Sequence, residues 1–373
     1  MNLYEYEAKR IFAEFGIQIP PGARITKPEE LRKVHFGWPL TLKVQVLSGG
    51  RGKAGGIKFA KDLKEGEEIA KQLLGMTING SKTESLLCEP KVSIAREMYM
   101  SITMDRARGC PIFIAAAEGG IEIESNESII TQPITYPFGA FQARALAKKM
   151  GLHGSLFAKV ADVATKLYKI FEDLDLDLVE INPLVITAGE DVLALDGKIT
   201  ANDDALGRQK RFSGQQEAHW TDLPERERKA KRLGLNLVEL EGNIGIICNG
   251  AGLTMATMDM VKNFGGQPGS FLDAGGGSDR KTLQALEIVH DNPAVKVILL
   301  NILGGITACD EVAGALVQFL KKHPERAMVV RLRGNNQDIA EKMLGESKSS
   351  SIQTWKTRSK KRSPNRSNRS LAI

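Results

Sequence analysis

Between Ile244 and Leu344 the apolar residues fall into short unbroken runs, separated by segments with helical spacing. The runs Ile244–Cys248, Phe271–Leu272, Val295–Ile302 and Met328–Leu332 predict strands. The segments between and after them predict helices over about Leu253–Phe264, near Lys281–His290, up to Lys322, and from about Gln337 to Leu344. Strands that are apolar throughout, alternating with helices, imply a parallel sheet covered on both faces, which is the doubly wound arrangement. Residues 1 to about 236 follow another pattern, with short strands, hairpins and helices mixed. There the opening segment places Leu3, Tyr6, Ile11, Phe12 and Phe15 roughly along one helical face. Arg211–Arg232 is densely charged with Pro224 inside it and reads as an exposed linker. The expected organisation is therefore one domain over 1–236, a doubly wound domain over 237–345, and a Ser/Arg/Lys-rich tail over 346–373 that is expected to be disordered.

The length of 373 residues suits two or three domains, and no apolar run approaches the ~18 residues of a membrane span. The first residues lack the charged, apolar and small-residue regions of a signal peptide, so a cytoplasmic protein is expected. A net charge of +6 raises nucleic-acid binding as a possibility. However, residues 347–373 hold 8 Lys/Arg and no acid, which leaves 43 basic against 45 acidic residues elsewhere. The body is slightly acidic, so a basic, nucleic-acid-binding tail carries little weight as the function. Cys88, Cys110, Cys248 and Cys309 lie too far apart in sequence for a zinc or redox pair and fit buried reduced thiols. The histidines are scattered, and His153 reads as a surface residue in a Gly-flanked turn.

Three patterns carry chemistry. Ser48–Gly56, SGGRGKAGG, follows a strand over Leu42–Leu47 and contains a GxGxxG spacing. A dinucleotide fingerprint needs a helix next, but Ile57-Lys58-Phe59-Ala60 is strand-like, and Lys53 precedes Ala54 rather than the Ser/Thr of a Walker loop. What remains is a glycine-rich hairpin. Such a hairpin can lie over nucleotide phosphates, with Lys43, Arg51 and Lys53 adding charge, and the residues fit a solvated surface hairpin equally. Asp177–Ile186 and Asp191–Ile199 read as a second hairpin around Gly189. Residues whose numbers sum to 378 then face each other, so Asn182 opposes Asp196 and Glu180 opposes Lys198. Glu180 and Asn182 share a face, and three oxygen-bearing side chains gathered there favour a Mg²⁺ site over a merely polar face. Finally, Asn249-Gly250-Ala251-Gly252, Gly275-Gly276-Gly277 and Gly304-Gly305-Ile306-Thr307 stand at strand-to-helix junctions. Amide groups there favour an anion.

At these residues the sequence resembles the β subunits of succinate–CoA ligases (ADP-forming). The resemblance is carried in order by MNLYEYEAK, LKVQVLSGGRGKAGG, VEINPL, LDGK, EGNIGIICNGAGLTMATMD, FLDAGGG, NILGGITACD and VVRLRGNN. It implies an α/β protein with an ATP-grasp domain followed by a flavodoxin-like domain. It also implies an acid–thiol ligase of the tricarboxylic acid cycle that works with an α subunit, as αβ or α₂β₂. In that family ATP phosphorylates a histidine of the α subunit, the phosphoryl group passes to succinate, and the CoA thiol attacks the succinyl phosphate. The resemblance further implies nucleotide contacts from Lys43, Gly50, Arg51, Gly52, Glu89, Val92 and Glu97, and one Mg²⁺ per subunit on Asn182 and Asp196. Carboxylic-substrate contacts are implied for Asn249, Gly305, Ile306 and Thr307.

Ala308 stands where many relatives carry arginine, which keeps a malate–CoA ligase β subunit as the alternative, and GTP is the alternative to ATP. After Gly345 the family continues into a further strand and helix, where this chain carries its basic tail. A C-terminally defective, inactive subunit is the other alternative. Loss of an outer strand and helix exposes apolar surface on a scale that competes with a total stability of ~5–15 kcal/mol. The second domain is accordingly expected to melt below that of a full-length relative, and matching thermal melts would refute this.

Overall fold

The computed structural model describes residues 1–120, 128–275, 279–346 and 352–354, with backbone alone at 279–280 and 352–354. The chain divides into two units, Met1–Asp222 and Leu223–Ile373.

In the first unit, the opening helix α1 (Glu5–Glu14) starts where the Glu7 carboxylate accepts the Tyr4 backbone N–H at 2.9 Å. Strands β1 (Ala23–Ile25), β2 (Leu40–Val44) and β3 (Ile57–Ala60) come next, followed by helix α2 (Leu63–Leu73). A two-strand ribbon, β4 (Thr77–Ile78) and β5 (Ser81–Lys82), leads to β6 (Leu86–Pro90). These make an antiparallel sheet in the order β1-β6-β2-β3. Every residue of β2 is buried, with Leu40, Leu42 and Val44 in one core with Leu31, Ala70, Leu73 and Cys88.

A second antiparallel sheet holds β7 (Ile94–Asp105), β8 (Cys110–Ala116), β9 (Ile130–Pro133), β10 (Leu176–Thr187), β11 (Val192–Ala194) and β12 (Lys198–Ala201). Helices α3 (Ala140–Lys149) and α4 (Gly154–Asp173) share its core through Leu146, Val160 and Leu167, and α1 adds Ala8, Ile11 and Phe12. The hairpin around Gly189 has the expected register: Leu184 pairs with Ala194, Ile186 with Val192, and Glu180 with Lys198. Gly197, between β11 and β12, is required by close approach, since a Cβ there would lie 2.3 Å from the Phe12 ring.

The second unit opens with α5 (Glu225–Arg232) and β13 (Asn236–Glu239). The alternation then runs β14 (Ile244–Cys248), α6 (Ala251–Asn263), β15 (Pro268–Asp273), α7 (Asp279–His290), β16 (Val297–Gly304), α8 (Cys309–Lys322), β17 (Ala327–Gly334) and α9 (Gln337–Glu346). The sheet order is β13-β15-β14-β16-β17-β18, where β18 is Ile352–Thr354. It is parallel except for β13, which pairs antiparallel with β15. Alternation along the strands sends Ile247, Ile298 and Leu300 to one face, where α7, α8 and α9 cover them. Ile246, Cys248 and Leu299 go to the other, against Val261 of α6.

Two expectations differ from this structure. Arg211–Arg232 is not a plain linker. Phe212 and His219 are buried in the first unit, and 225–232 is helical, with Glu225 and Glu227 at its start and Lys229, Lys231 and Arg232 at its end. That order complements the helix dipole, and Ala230 is buried in the second unit's core, so charge density hid a docked helix. The unit boundary falls at Asp222/Leu223 rather than at 236. Within the tail, Ile352–Thr354 adds as a parallel edge strand beside Met328–Val330, helped by two β-branched residues in three. The rest of the expected disordered tail, 347–351 and 355–373, lies outside the described residues.

Gly197→Ala is expected to cost about 1–3 kcal/mol through overpacking. A second change, Phe12→Leu, should recover part of that loss because it removes the clashing ring. Denaturant midpoints of the two variants check both expectations.

Candidate functional site

Lys43 sits near the end of the buried strand β2 and is 5% exposed. Its ammonium donates to Glu5 Oε1 at 2.9 Å and to the Leu195 carbonyl at 2.5 Å. It also lies 2.9 Å from Glu89 Oε2, off the hydrogen-bonding direction, so that contact is coulombic. Arg51, in the glycine hairpin, turns inward. Its guanidinium donates to Glu5 Oε2 at 2.7 Å and, in a bidentate fork, to both Asp196 oxygens at 2.7 and 2.8 Å. Lys9 binds Glu89 Oε1 and donates to the Leu195 carbonyl at 3.0 Å. Three cations and three carboxylates thus neutralise one another.

The electrostatics follow from that balance. Burial opposes the charge on Glu5, but Lys43, Arg51 and Lys9 outweigh it and hold the carboxyl well below the usual range. Burial likewise opposes the charges on Lys43 and Arg51, and the surrounding carboxylates raise both above their ordinary values. At Lys9, burial and the nearby Lys43 prevail, and its pKa is lowered. Burial, with Glu89 adjacent, pushes the Cys88 thiol up to about 12, so it is inert.

The structure brings Lys43, Arg51, Glu89 and Asp196 together. The hairpin reading of Gly50–Gly56 holds, since β2 and β3 pair antiparallel with Lys43 opposite Ile57. The surroundings of Lys43 differ from a solvated strand face, because both faces of β2 are covered. Gly52 and Lys53 are exposed, and Val92 and Glu97 are half-buried on the next segment. The expected cluster of Glu180, Asn182 and Asp196 does not form a single knot. Tyr99 donates to Glu180 at 3.0 Å. Asn182 exchanges two hydrogen bonds with the Gly120 backbone at 3.0 and 3.1 Å, and Asp196 goes to Arg51. Each of the three thus has its own hydrogen-bond partner, and Asp196 lies in the gap between β11 and β12. Glu97 comes close to the same Gly120, since a Cβ there would lie 3.0 Å from its Oε2. Among the described residues no three His, Cys, Asp or Glu side chains converge as a metal site.

In the second unit the loops beyond the carboxyl ends of β14, β15 and β16 are stitched together. Asn249 donates to the Leu303 carbonyl at 2.7 Å and accepts the Leu303 N–H at 2.9 Å. Asp273 Oδ1 accepts the N–H groups of Gly250 at 2.6 Å and Gly275 at 2.8 Å. The Gly305 carbonyl accepts from Asn335 at 2.9 Å. Ile306 is fully exposed and Thr307 buried, while Gly276 and Gly277 lie outside the described residues. His153 is exposed, as expected. Among the described residues no helix is long and apolar enough to cross a membrane.

Residues 2–186 match the model of an ATP-grasp domain, and 247–365 that of a CoA-ligase. A succinate–CoA ligase [ADP-forming] β subunit from Methanocaldococcus jannaschii is 43% identical over 354 residues, 93% of this chain and 94% of the relative. One from Chloroflexus aurantiacus is 42% identical over 360 residues with the same coverage. The chain belongs to this family. An ATP citrate lyase from Methanothrix soehngenii, solved with citrate and coenzyme A, shares the fold at a TM-score of 0.72 and 20% identity. That match covers 95% of each chain.

Motif reading missed several side chains of this candidate site. Glu5 and Lys9 lie one helical turn apart on α1, a spacing visible in sequence, but nothing in the pattern says that this charged edge is buried. Asp273 stands inside the FLDAGGG motif, yet its role as acceptor for two loop amides is tertiary.

Glu5 gives a pH signature. Because its folded pKa is depressed, the stability it contributes is present above its ordinary 4.5 and lost as pH falls below that toward the folded value. The stability gap between the parent chain and Glu5→Gln should therefore be constant from pH 7 to about 5 and narrow at lower pH. Denaturant titrations across that range would show a flat gap if the network does not form.

Proposed function

We propose that this chain is the nucleotide-binding half of a succinate–CoA ligase, coupling ATP cleavage to succinyl-CoA formation, reversibly, through a phosphohistidine on a separate α subunit. The observation that carries the reading is the meeting of Lys43 and Arg51 with Asp196 at the mouth of a glycine-rich hairpin. Family membership along nearly the whole chain supports it. Phosphoryl transfer asks chiefly for positioning and charge neutralisation. Lys43 and Arg51 are held charged at any physiological pH, and phosphate oxygens would take the place of part of their present carboxylate contacts. The open backbone of Gly50 and Gly52 permits close approach. Glu89, Val92 and Glu97 line the segment that follows and contact the nucleotide.

Mg²⁺ fits the chemistry of the donors: Asp196 offers a carboxylate, held by Arg51 in this structure, and Asn182 an amide oxygen that accepts the Gly120 N–H; both are hard ligands, and Mg²⁺ ordinarily takes few protein ligands beside substrate phosphates. Those two residues would hold it, and it would neutralise charge on the nucleotide phosphates. Arg51 engages both Asp196 oxygens, so the Arg51 fork must yield as the guanidinium turns to phosphate. In the second unit, Asn249 and Gly305–Thr307 contact the carboxylic substrate from loops held in register by Asn249 itself and by Asn335. The partner is the α subunit, as αβ or α₂β₂, in the cytoplasm, with ATP rather than GTP as the nucleotide.

Reconstitution tests this. The chain is mixed with an α subunit from a relative and Mg²⁺-ATP, and histidine phosphorylation is followed before succinate and CoA are added. Phosphohistidine followed by ADP and succinyl-CoA is the expected outcome. A folded chain that binds no nucleotide would overturn the proposal.

A further inference from the structure

We infer that Glu5, on the N-terminal helix, is the positioning residue that sets the spacing of the two phosphate-binding cations, with Lys9 completing the device. The inference rests on reading Lys43 and Arg51 as phosphate contacts.

The two cations come from different segments. Lys43 belongs to strand β2, and Arg51 to the glycine-rich turn after it. Left alone, two like charges this close in a buried site would repel, and a flexible Arg side chain would swing to solvent. A single carboxylate prevents both. Glu5 Oε1 takes Lys43 at 2.9 Å and Oε2 takes Arg51 at 2.7 Å, so the width of one carboxylate fixes the distance between the charges. Glu5 is itself immobile. Its side chain is 1% exposed, its helix is anchored in the core through Ala8, Ile11 and Phe12, and Gln45 donates a further hydrogen bond to Oε2 at 3.2 Å. Gln45, the residue after β2, in turn accepts the Tyr6 backbone N–H at 3.1 Å and so ties the end of that strand to α1.

The two carboxylates on Arg51 differ in kind. The Asp196 side chain is 26% exposed and is free to exchange partners with an arriving ligand. Glu5 is enclosed and stays. It therefore still holds Arg51, and still holds Lys43, when Asp196 is engaged elsewhere. Lys9, one turn along α1, has the matching task on the other side. It binds Glu89 Oε1 and shares the Leu195 carbonyl with Lys43, so that Glu89, whose other oxygen lies 2.9 Å from Lys43, is divided between two ammonium groups and does not pair with Lys43 alone.

The test measures binding of Mg²⁺-ATP and of AMP to the full chain by calorimetry, with melting temperature alongside. Glu5→Gln keeps the shape and removes the charge. Glu5→Gln with Lys9→Met removes one charge of each sign and keeps the buried site neutral, which guards against simple unfolding. Both variants are expected to bind ATP about tenfold or more weakly while AMP affinity stays within about twofold, because only the outer phosphates need the cation pair. A purely structural role would weaken both nucleotides alike, and that result overturns the inference. Lys43→Ala separates the two levels of the argument. If it weakens ATP binding while the Glu5 variants bind like the parent chain, the positioning role fails and the nucleotide site stands. If all three bind ATP like the parent chain, the nucleotide reading falls and the inference with it.

Discussion

A charge removed from water must be answered by another, and in the first unit six charges answer one another in one place. Their geometry ties together parts of the chain far apart in sequence. Glu5 and Lys9 come from α1, Lys43 and Glu89 from adjacent strands of the first sheet, Arg51 from the glycine hairpin, and Asp196 from the turn between two strands of the second sheet. Removing one of the enclosed partners strands an opposite charge in a low-dielectric setting, which costs more than the pair contributes. Such a network therefore says little about stability and much about specificity. It permits one arrangement of helix, strand and loop. Gly197 belongs to the same constraint, since the backbone that presents Asp196 has to pass directly over Phe12.

The second unit solves a different problem by backbone hydrogen bonding. A parallel sheet ends with its loops all on one edge, and loops rich in glycine have little side-chain packing to hold them. Two side chains supply the order. Asn249 splices the loop after β14 onto β16, and Asp273 gathers the start of α6 and the loop after β15. Below them Asn301 donates to Thr257 at 2.9 Å and accepts from Arg331 at 2.9 Å, so the polar order continues into the sheet.

Periodicity and turn chemistry made much of this legible. The strand-helix alternation from Ile244 onward is observed nearly element for element, because buried parallel strands and amphipathic helices leave unmistakable patterns. The pairing of Glu180 with Lys198 followed from one turn glycine and a period of two. What escaped the sequence was tertiary. Arg211–Arg232 looks solvated because composition counts charges without showing which helix face, here Ala230, meets a core. Lys43 alternates with Leu42 and Val44 and so faces away from them, but the sequence does not show that β2 is buried throughout. Glu5 looks like an ordinary first-turn acid, and only the fold reveals three cations around it. Asn182 and Asp196 fall in the gap between the paired stretches of the hairpin, and their side chains bond to Gly120 and Arg51, partners the hairpin pattern does not name.

Asp273 has a consequence for any anion that uses the amides at the start of α6. The chain carries its own competitor there, an intramolecular carboxylate already on the Gly250 N–H. An incoming ligand with a single weak contact would lose that contest. One that grips a second loop at the same time can win it, because its second contact is then as intramolecular as the residue it displaces. A ligand that used the Gly250 amide would therefore have to displace a carboxylate the chain already holds there.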